Sequence, residues 1–468
     1  MKFLRYNSPT IQVALVGFVC FCTVGMYSAV SNLGAGGSQD IALTDTASSV
    51  LYGMFAIMSI VAGSINNVLG PKYTMFLGTT GYGLYVGSLW CFQVQGTRWF
   101  VIFAGAILGV SAALLWAAQG AIMMSYPLEK DKGRSFSLFW VIFSMGSFIG
   151  GLIAMVINLN KGGLSAVTTS TYIAFVVIIL FGMCLSFTLL PPSRIVRSDG
   201  TLVKLQQSNT IRVEAKNLVM SIKDRRLLLL VPMFFGSNYF YAYQGAFTFA
   251  LFDSSTRAVT AVLSAAAQIT GALVIGPILD SLPFHRRTRG YIGLAIVSCF
   301  VIASWGGGLS YQLTFTRNDP PSVISYKDSA YGKPAALVFF WYFGDAMYQA
   351  LAYWIMGAMS NDPFTLARYA GFYKGLQSAG AAVSFGVDAV ATPYLSEHLS
   401  SWLMLLVSLP LTAFVISTVI DTNYDKEGVV YENEVIETDH GLEKIADLPR
   451  EESEGKTGEV DVDTKSVV

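Results

Sequence analysis

Three ionisable residues stand in stretches of the chain that otherwise hold almost nothing charged. Asp345 lies within FFWYFGDAMYQALAYW (339–354), Lys374 within ARYAGFYKGLQSAGAA (367–382), and Asp388 follows fourteen residues after the lysine. A charge placed at the centre of a bilayer costs at least about 2.5 to 3.5 kcal/mol on insertion scales, so a chain that keeps one gives it a partner or a wet cavity. The chemistry open to such groups is specific. A buried carboxyl can take up a proton or contact a polar solute, and a nearby ammonium can compete for it. Asp345, Tyr348, Gln349 and Ala352 fall on one helical stripe, which predicts that Asp345 faces inward. If the two segments are neighbours, the lysine stem closes much of the difference in depth and an Asp345 to Lys374 ion pair forms. The alternatives are a structural pair tying two helices, or a lysine that snorkels to the inner surface. Asp388 reads as a solvated helix end.

The elements that position these residues are membrane helices. The chain has 468 residues, 53% hydrophobic and only 13% charged, with a mean hydropathy of +0.53. Apolar runs of about twenty residues recur, each long enough to cross a hydrocarbon core as a helix. They do not alternate as barrel strands would. Spans are expected near 10–32, 46–69, 73–94, 99–126, 135–158 and 168–190, then near 227–252, 258–279, 290–311, 335–359, 368–391 and 401–420. The predicted organisation is a six-helix bundle (1–190), a linker with an amphipathic helix (191–226), a second six-helix bundle (227–420) and a tail (421–468). The tail holds 15 acids and 5 bases, a composition that reads as disordered. In the linker, Ile211, Ala215, Leu218 and Ile222 make a stripe that suggests a helix lying on the inner membrane face. Lysine and arginine number 18 in the loops on one side and 6 on the other, which places both termini in the cytoplasm; which membrane is hosted is left open.

The two halves repeat. GSINNVLGPK follows span 2 and GPILDSLPFHRR follows span 8; in each half a glycine (Gly146, Gly380) lies twelve residues beyond an arginine (Arg134, Arg368). Such repeats imply two bundles related by a pseudo-two-fold axis. The six-plus-six plan and these loops resemble the major facilitator superfamily, whose loop signature is matched approximately by Gly276, Asp280, Arg286 and Arg287. The first half keeps Gly63, Gly70 and Lys72 but has Asn67 in place of the acid, which puts its latch in doubt. More narrowly, GMYSAVSNLGAGG, FGSNYFYAYQGAF, GDAMYQALAYW and ARYAGFYKGLQSAGAA resemble the uncoordinated-93-like branch in its fungal form. That resemblance implies an all-α membrane protein of twelve transmembrane helices. It also implies one of two roles, a transporter or a regulator or escort of another membrane protein.

In that superfamily spans 1, 4, 7 and 10 line a central cavity. Here they carry Tyr27 and Asn32, Trp116 and Gln119, Asn238, Tyr241 and Gln244, and Tyr348 and Gln349. With Asp345 these would make a hydrogen-bonding, stacking cavity for a moderately polar organic solute or an ion; the bland reading is that amides and tyrosines tie helices together. The first six spans contain no Asp, Glu, Lys, Arg or His at all. The five cysteines sit in apolar runs, the three histidines in loops or tail, and no spacing suggests a metal, a cofactor, a phosphate loop or a nucleophile. The expectation is therefore a non-enzyme without cofactors. Its partners would be the lipid bilayer, a small-molecule or ion substrate and, on the rival reading, another membrane protein; nucleic acid is not expected.

Overall fold

The computed structural model of the protein describes residues 5–32, 41–160, 169–206, 208–438 and 441–444. Helix α1 (Pro9–Cys20), a π-helical turn (Phe21–Gly25) and α2 (Met26–Asn32) form the first span. Spans 2 to 6 are α3 (Ile41–Leu69), α4 (Pro71–Gln95), α5 (Arg98–Ser125), α6 (Lys132–Asn160) and α7 (Thr169–Leu185). The linker contributes α8 (Ile211–Ile222), and α9 (Arg225–Leu229) leads into the seventh span, which is split at Phe240 into α10 (Val231–Tyr239) and α11 (Tyr241–Leu251). The remaining spans are α12 (Ser254–Ser281), α13 (Arg286–Gln312), α14 (Gly332–Met359), α15 (Pro363–Ala389) and α16 (Tyr394–Ser417). The described helices thus make twelve spans of a helical membrane protein, two six-helix bundles side by side.

Eight of the described spans are long and apolar enough to cross a bilayer by composition alone; spans 3, 7, 10 and 11 fall short. Three of those four carry the polar residues singled out above. Span 7 falls short because its helix is divided in two, and in spans 10 and 11 the low hydropathy is the signature of helices whose polar faces are buried in protein rather than turned to lipid.

Local signals set the helix ends. Pro71 opens α4 directly after Gly70, whose φ of 80° makes a sharp turn that only glycine adopts without strain. Pro363 opens α15, and Asp362 caps it by accepting from the Thr365 amide at 3.0 Å, so this helix starts five residues earlier than its apolar run suggests. Lys374 consequently lies eleven residues, about 16 Å, into the helix, too deep to be a shallow snorkelling lysine.

The halves meet along two seams, α3 against α15 and α6 against α12, which exchange under the pseudo-two-fold. Small residues allow the approach. Gly371 lies where a Cβ would stand 2.7 Å from the Ser59 carbonyl, and Ser137 of α6 donates to the Ala272 carbonyl of α12 at 2.5 Å. The glycines paired in the sequence have matching roles within the halves. Gly146 packs its backbone on the Phe21 carbonyl in the π turn, and Gly380 packs on the Phe235 carbonyl of α10. One joins spans 5 and 1; the other joins spans 11 and 7.

The tail departs from its composition. Residues after α16 continue into α17 (Tyr424–Glu427) and an antiparallel hairpin of β1 (Val435–Thr438) and β2 (Gly441–Lys444). Asn423 donates its backbone N–H to Glu129 at 2.8 Å, and Glu427 accepts from the Ser360 hydroxyl at 2.7 Å and the Asn361 N–H at 2.8 Å. Leu202 of the linker donates to the Val430 carbonyl at 2.9 Å. Average acidity missed this because single acids here meet buried backbone donors; residues 445–468 lie outside the described residues.

At Gly63 a side chain would overlap the Ala367 carbonyl and come within 2.8 Å of the Arg368 Cα. Gly63→Ala is expected to lower stability by about 1 to 3 kcal/mol through overpacking of the α3–α15 seam. Gly87→Ala, which meets open space, should leave it unchanged; unfolding of the two purified variants compares them.

Candidate functional site

Asp345 lies midway along α14 and is 3% exposed. Its side chain is turned into the protein, as the stripe predicts. The Tyr241 hydroxyl of α11 donates to Oδ2 at 2.9 Å, Gln349 Nε2 donates to Oδ1 at 2.9 Å, and Gln268 Nε2 of α12 reaches Oδ2 at 3.5 Å. Gln349 sits one turn further along the same helix, so the i,i+4 spacing supplies the second donor.

Lys374 of α15, also 3% exposed, does not touch the carboxylate. Its ammonium donates to Gln377 Oε1 at 2.7 Å; Gln377 Nε2 donates to Gln349 Oε1 at 3.1 Å; Gln349 Nε2 then donates to Asp345. The expected ion pair is therefore replaced by a relay in which two amides stand head to tail between the opposite charges. The backbones of α14 and α15 seldom approach, and the helices meet through long side chains such as Tyr353 and Tyr373, 5.2 Å between ring centroids, with the two glutamines filling the space between the charges. Each amide dipole is oriented by the charge at its end, which strengthens both hydrogen bonds. Gln377 also donates to Ser237 Oγ at 2.9 Å and lies 3.2 Å from the Tyr373 hydroxyl.

The ammonium is caged by aromatic rings, 4.3 Å from the centroid of Trp116, 5.1 Å from Tyr373 and 5.5 Å from Tyr353. Such a cage stabilises a desolvated cation through the ring quadrupole. Trp116 belongs to α5 in the first half. From the same helix Gln119 accepts from the Tyr353 hydroxyl at 3.1 Å and reaches Met123 Sδ at 3.2 Å. The four members of the relay all belong to the second half, and the Trp116 ring and the Gln119–Tyr353 bond tie it to the first.

Not every expected cavity residue joins it. Tyr348 bonds Ser408 Oγ of α16 at 2.7 Å and ties span 10 to span 12. Tyr27 packs edge-on against Tyr82 and Tyr85. Asn238 is half-buried with its Oδ1 unpartnered, and Gln244 is buried at 2% exposure with neither amide atom bonded among the described residues. The side chain of Asn32 lies outside the described residues. Around Asp345 two of the groups expected to line a cavity, Tyr241 and Gln349, bond its carboxylate, and Gln268 reaches it too. A cavity of about 180 Å³ lies at the linker side, between Arg226, the ends of α14 and α16, and Asn423, Lys426 and Glu427. Asp388 is not simply solvated: Arg317 binds it at 2.5 Å and Glu397 at 2.8 Å.

The linker side is closed by two clusters. In the first, Glu214 of α8 binds Arg368 at 2.9 Å and accepts from Asn67 Nδ2 at 3.1 Å, while Asn67 also donates to the Phe364 carbonyl at 2.8 Å. An acid of the linker helix thus stands where the first-half loop has none of its own, and it ties Asn67 to Arg368 of the second half. Nearby, Lys204 pairs with Asp362 at 2.8 Å; burial pushes that carboxyl up, and the lysine and the Thr365 bonds outweigh it and hold it below its ordinary value. Lys72 stays apart, 5.9 Å from the Phe187 ring. In the second cluster Asp280 accepts the Arg134 N–H at 2.6 Å. Arg286 turns to Glu129 at 3.3 Å and the Gly357 carbonyl at 3.3 Å rather than to Asp280, and Arg287 donates to the Val419 carbonyl at 3.2 Å. Lys132 completes this cluster by donating to the Gly357 carbonyl at 2.6 Å and Asn361 Oδ1 at 2.8 Å. Among the described residues no three His, Cys, Asp or Glu side chains lie where they could hold a metal.

Sequence reasoning missed Gln377, Tyr353, Gln268 and Glu214. Gln377 was within reach, three residues beyond Lys374 on its face, and Tyr353 four beyond Gln349. Glu214 gave no signal, because its partners are 147 and 154 positions away.

A sequence profile of the family described as "Ion channel regulatory protein UNC-93" matches residues 45–418. UNC93-like protein 1 of Arabidopsis thaliana is 38% identical over 427 residues, 90% of this chain and 93% of that protein. UNC93-like protein C922.05c of Schizosaccharomyces pombe is 39% identical over 421 residues, 89% of this chain and 83% of that one. Among solved structures the Escherichia coli fucose:proton symporter FucP aligns with a TM-score of 0.63 and 13% identity, covering 87% of this chain and 99% of that one; at that identity the likeness concerns the fold.

Removing either end of the relay leaves the other charge buried. Asp345→Asn and Lys374→Met are each expected to cost about 3 to 5 kcal/mol, and the double variant at least about 1 kcal/mol less than their sum although the charges do not touch. Introducing Gln349→Leu into all members of this unfolding cycle should abolish the coupling.

Proposed function

The chain belongs to the UNC-93 family, and from that premise we propose that it is a secondary-transporter-like membrane protein that moves a small polar organic solute or an ion by alternating access. The observation that carries this reading is the mid-depth relay from Asp345 to Lys374, which is held partly by the first half through Trp116 and Gln119. A network across the boundary between two bundles is broken and remade when they rock. Protonation of Asp345, or its capture by a cationic group of the solute, removes the pull on the Gln349 amide. The second amide then loses its orientation, and Lys374 keeps its charge but loses the acceptor chain. The solute is polar, because the groups it must replace are amides, hydroxyls and charges. With both termini and the linker cytoplasmic, as the loop charges suggest, the latched state is shut to the cytoplasm. Asp345, Lys374, Gln349, Gln377 and Tyr241 are the proposed coupling and contact residues, with the two clusters as the gate. Nothing in this arrangement calls for covalent chemistry, and we read the chain as a carrier rather than an enzyme.

A second reading, a non-transporting regulator or trafficking partner of another membrane protein, is favoured by the family's description as a channel regulator and by a first half without ionisable residues in its predicted spans. The two separate experimentally. In a carrier, Asp345→Asn, expressed and folded, loses solute flux in proteoliposomes, and some member of a metabolite and ion panel raises the melting temperature of the wild type. Unchanged flux in Asp345→Asn removes that residue from the mechanism. A panel without hits, with a stoichiometric co-purifying membrane protein, favours the second reading.

A further inference from the structure

Helix α8 has three faces. Glu214, Asn217 and Ser221 recur at helical spacing and face the bundle: Glu214 is 2% exposed and bonds Arg368, Asn67 and Asn209, and Ser221 accepts from Arg368 Nε at 3.0 Å. A second row, Ile211, Ala215, Val219 and Ile222, runs beside it; Ile211 is 74% and Val219 53% exposed, Ala215 is exposed and Ile222 half-buried. A third row, Arg212, Lys216 and Lys223, is exposed and bordered on its other side by exposed Val213 and Met220. Of the stripe expected from the sequence, Ile211 and Ala215 are exposed while Leu218 and Ile222 are half-buried, and the polar face is the one packed on protein. Glu214 is the only acid on the helix and is turned inward, so the exposed arc offers cations and apolar side chains with no anion.

Position adds to charge. Only two residues separate the end of α8 from α9, which begins the approach to the seventh span, and this short connection places α8 near the depth where chain passes from water to lipid. Apolar side chains adjoining a basic row suit the boundary between acyl chains and anionic headgroups. We propose that α8 docks on an anionic lipid surface, and that this contact holds its inner face, Glu214 above all, against Arg368 on α15. Anionic lipid would thereby fasten the α3–α15 latch. This goes beyond the transport reading and holds for a carrier and a non-transporting partner alike, since it concerns only the helix, the lipid and the latch.

The test uses the full chain in nanodiscs of phosphatidylcholine with or without phosphatidylserine, Cys91, Cys184 and Cys299 being replaced by serine. A nitroxide placed through Val219→Cys reports collisions with oxygen, which enters lipid, and with a water-soluble nickel complex. A label at Ile57→Cys, on an exposed side of α3, supplies the lipid-facing reference for correctly inserted protein. The expected result is an oxygen-to-nickel accessibility ratio at 219 that rises several-fold with phosphatidylserine toward that reference, and does not rise when Arg212→Gln, Lys216→Gln and Lys223→Gln are combined. Equal nickel accessibility in both lipid mixtures overturns the proposal. Shielding from both reagents overturns it too, and identifies a protein cover; if deletion of 445–468 restores nickel access, that cover is the acidic tail. Because no flux is measured, the outcome is independent of whether the chain transports.

Discussion

A charge in hydrocarbon must be answered by something, and the middle of this protein is arranged around that requirement. Asp345 and Lys374 are each almost wholly buried. Neither is paired directly, yet each is satisfied, the carboxylate by a tyrosine and two amides, the ammonium by an amide and three rings. The helices that supply those groups include α14 and α15, whose average hydropathy is low for a membrane span. They are stable in a bilayer because the other helices shield them. The twelve-helix plan is thus more than a scaffold: an outer layer of apolar spans lets the inner ones carry polar chemistry.

Helix α15 connects the two places where the halves are tied. Its first turns hold Arg368, bound by Glu214 and Ser221; six residues on, about 9 Å along the helix, Lys374 enters the relay. Gly371 between them presses on the Ser59 carbonyl of α3. A rigid helix in such contact cannot move at one end while the other stays fixed. On the transport reading proposed above, loss of the latch and rearrangement of the relay are linked through this helix, and the linker helix and the tail, which complete the two clusters, would act on the centre through it.

What could be read from the sequence follows the range of the forces involved. The inward turn of Asp345, its neighbour Gln349, the paired glycines Gly146 and Gly380, and the twelve spans are consequences of periodicity or of repeats within tens of residues. Whether Lys374 reaches Asp345 directly was not legible, because it depends on how the side chains of two helices with few close backbone approaches interlock. Asn67 looked like a defect in a loop motif; only the fold brings Glu214 beside it. The tail looked free because composition averages over 48 positions, whereas Asn423 and Glu427 are held by individual buried bonds to residues scores to hundreds of positions earlier.

The substitution of a relay for an ion pair also has an energetic sense. Opposite charges 4 Å apart attract by about 4 kcal/mol at an effective dielectric of about 20. That approaches the roughly 5.5 kcal/mol that turns a two-state equilibrium from 1:99 to 99:1. A direct contact of that strength, present in one state and absent from the other, would hold the protein there against any solute of ordinary affinity. Two neutral amides between the charges divide the interaction into hydrogen bonds that each contribute about 1 kcal/mol net, somewhat more where an end is charged. The charges stay satisfied, yet each link can be exchanged for a solute group or a water at small cost. On the transport reading proposed above, the protein must keep ions in a membrane and still change shape, and a polarised chain of side chains between the ions supplies both properties.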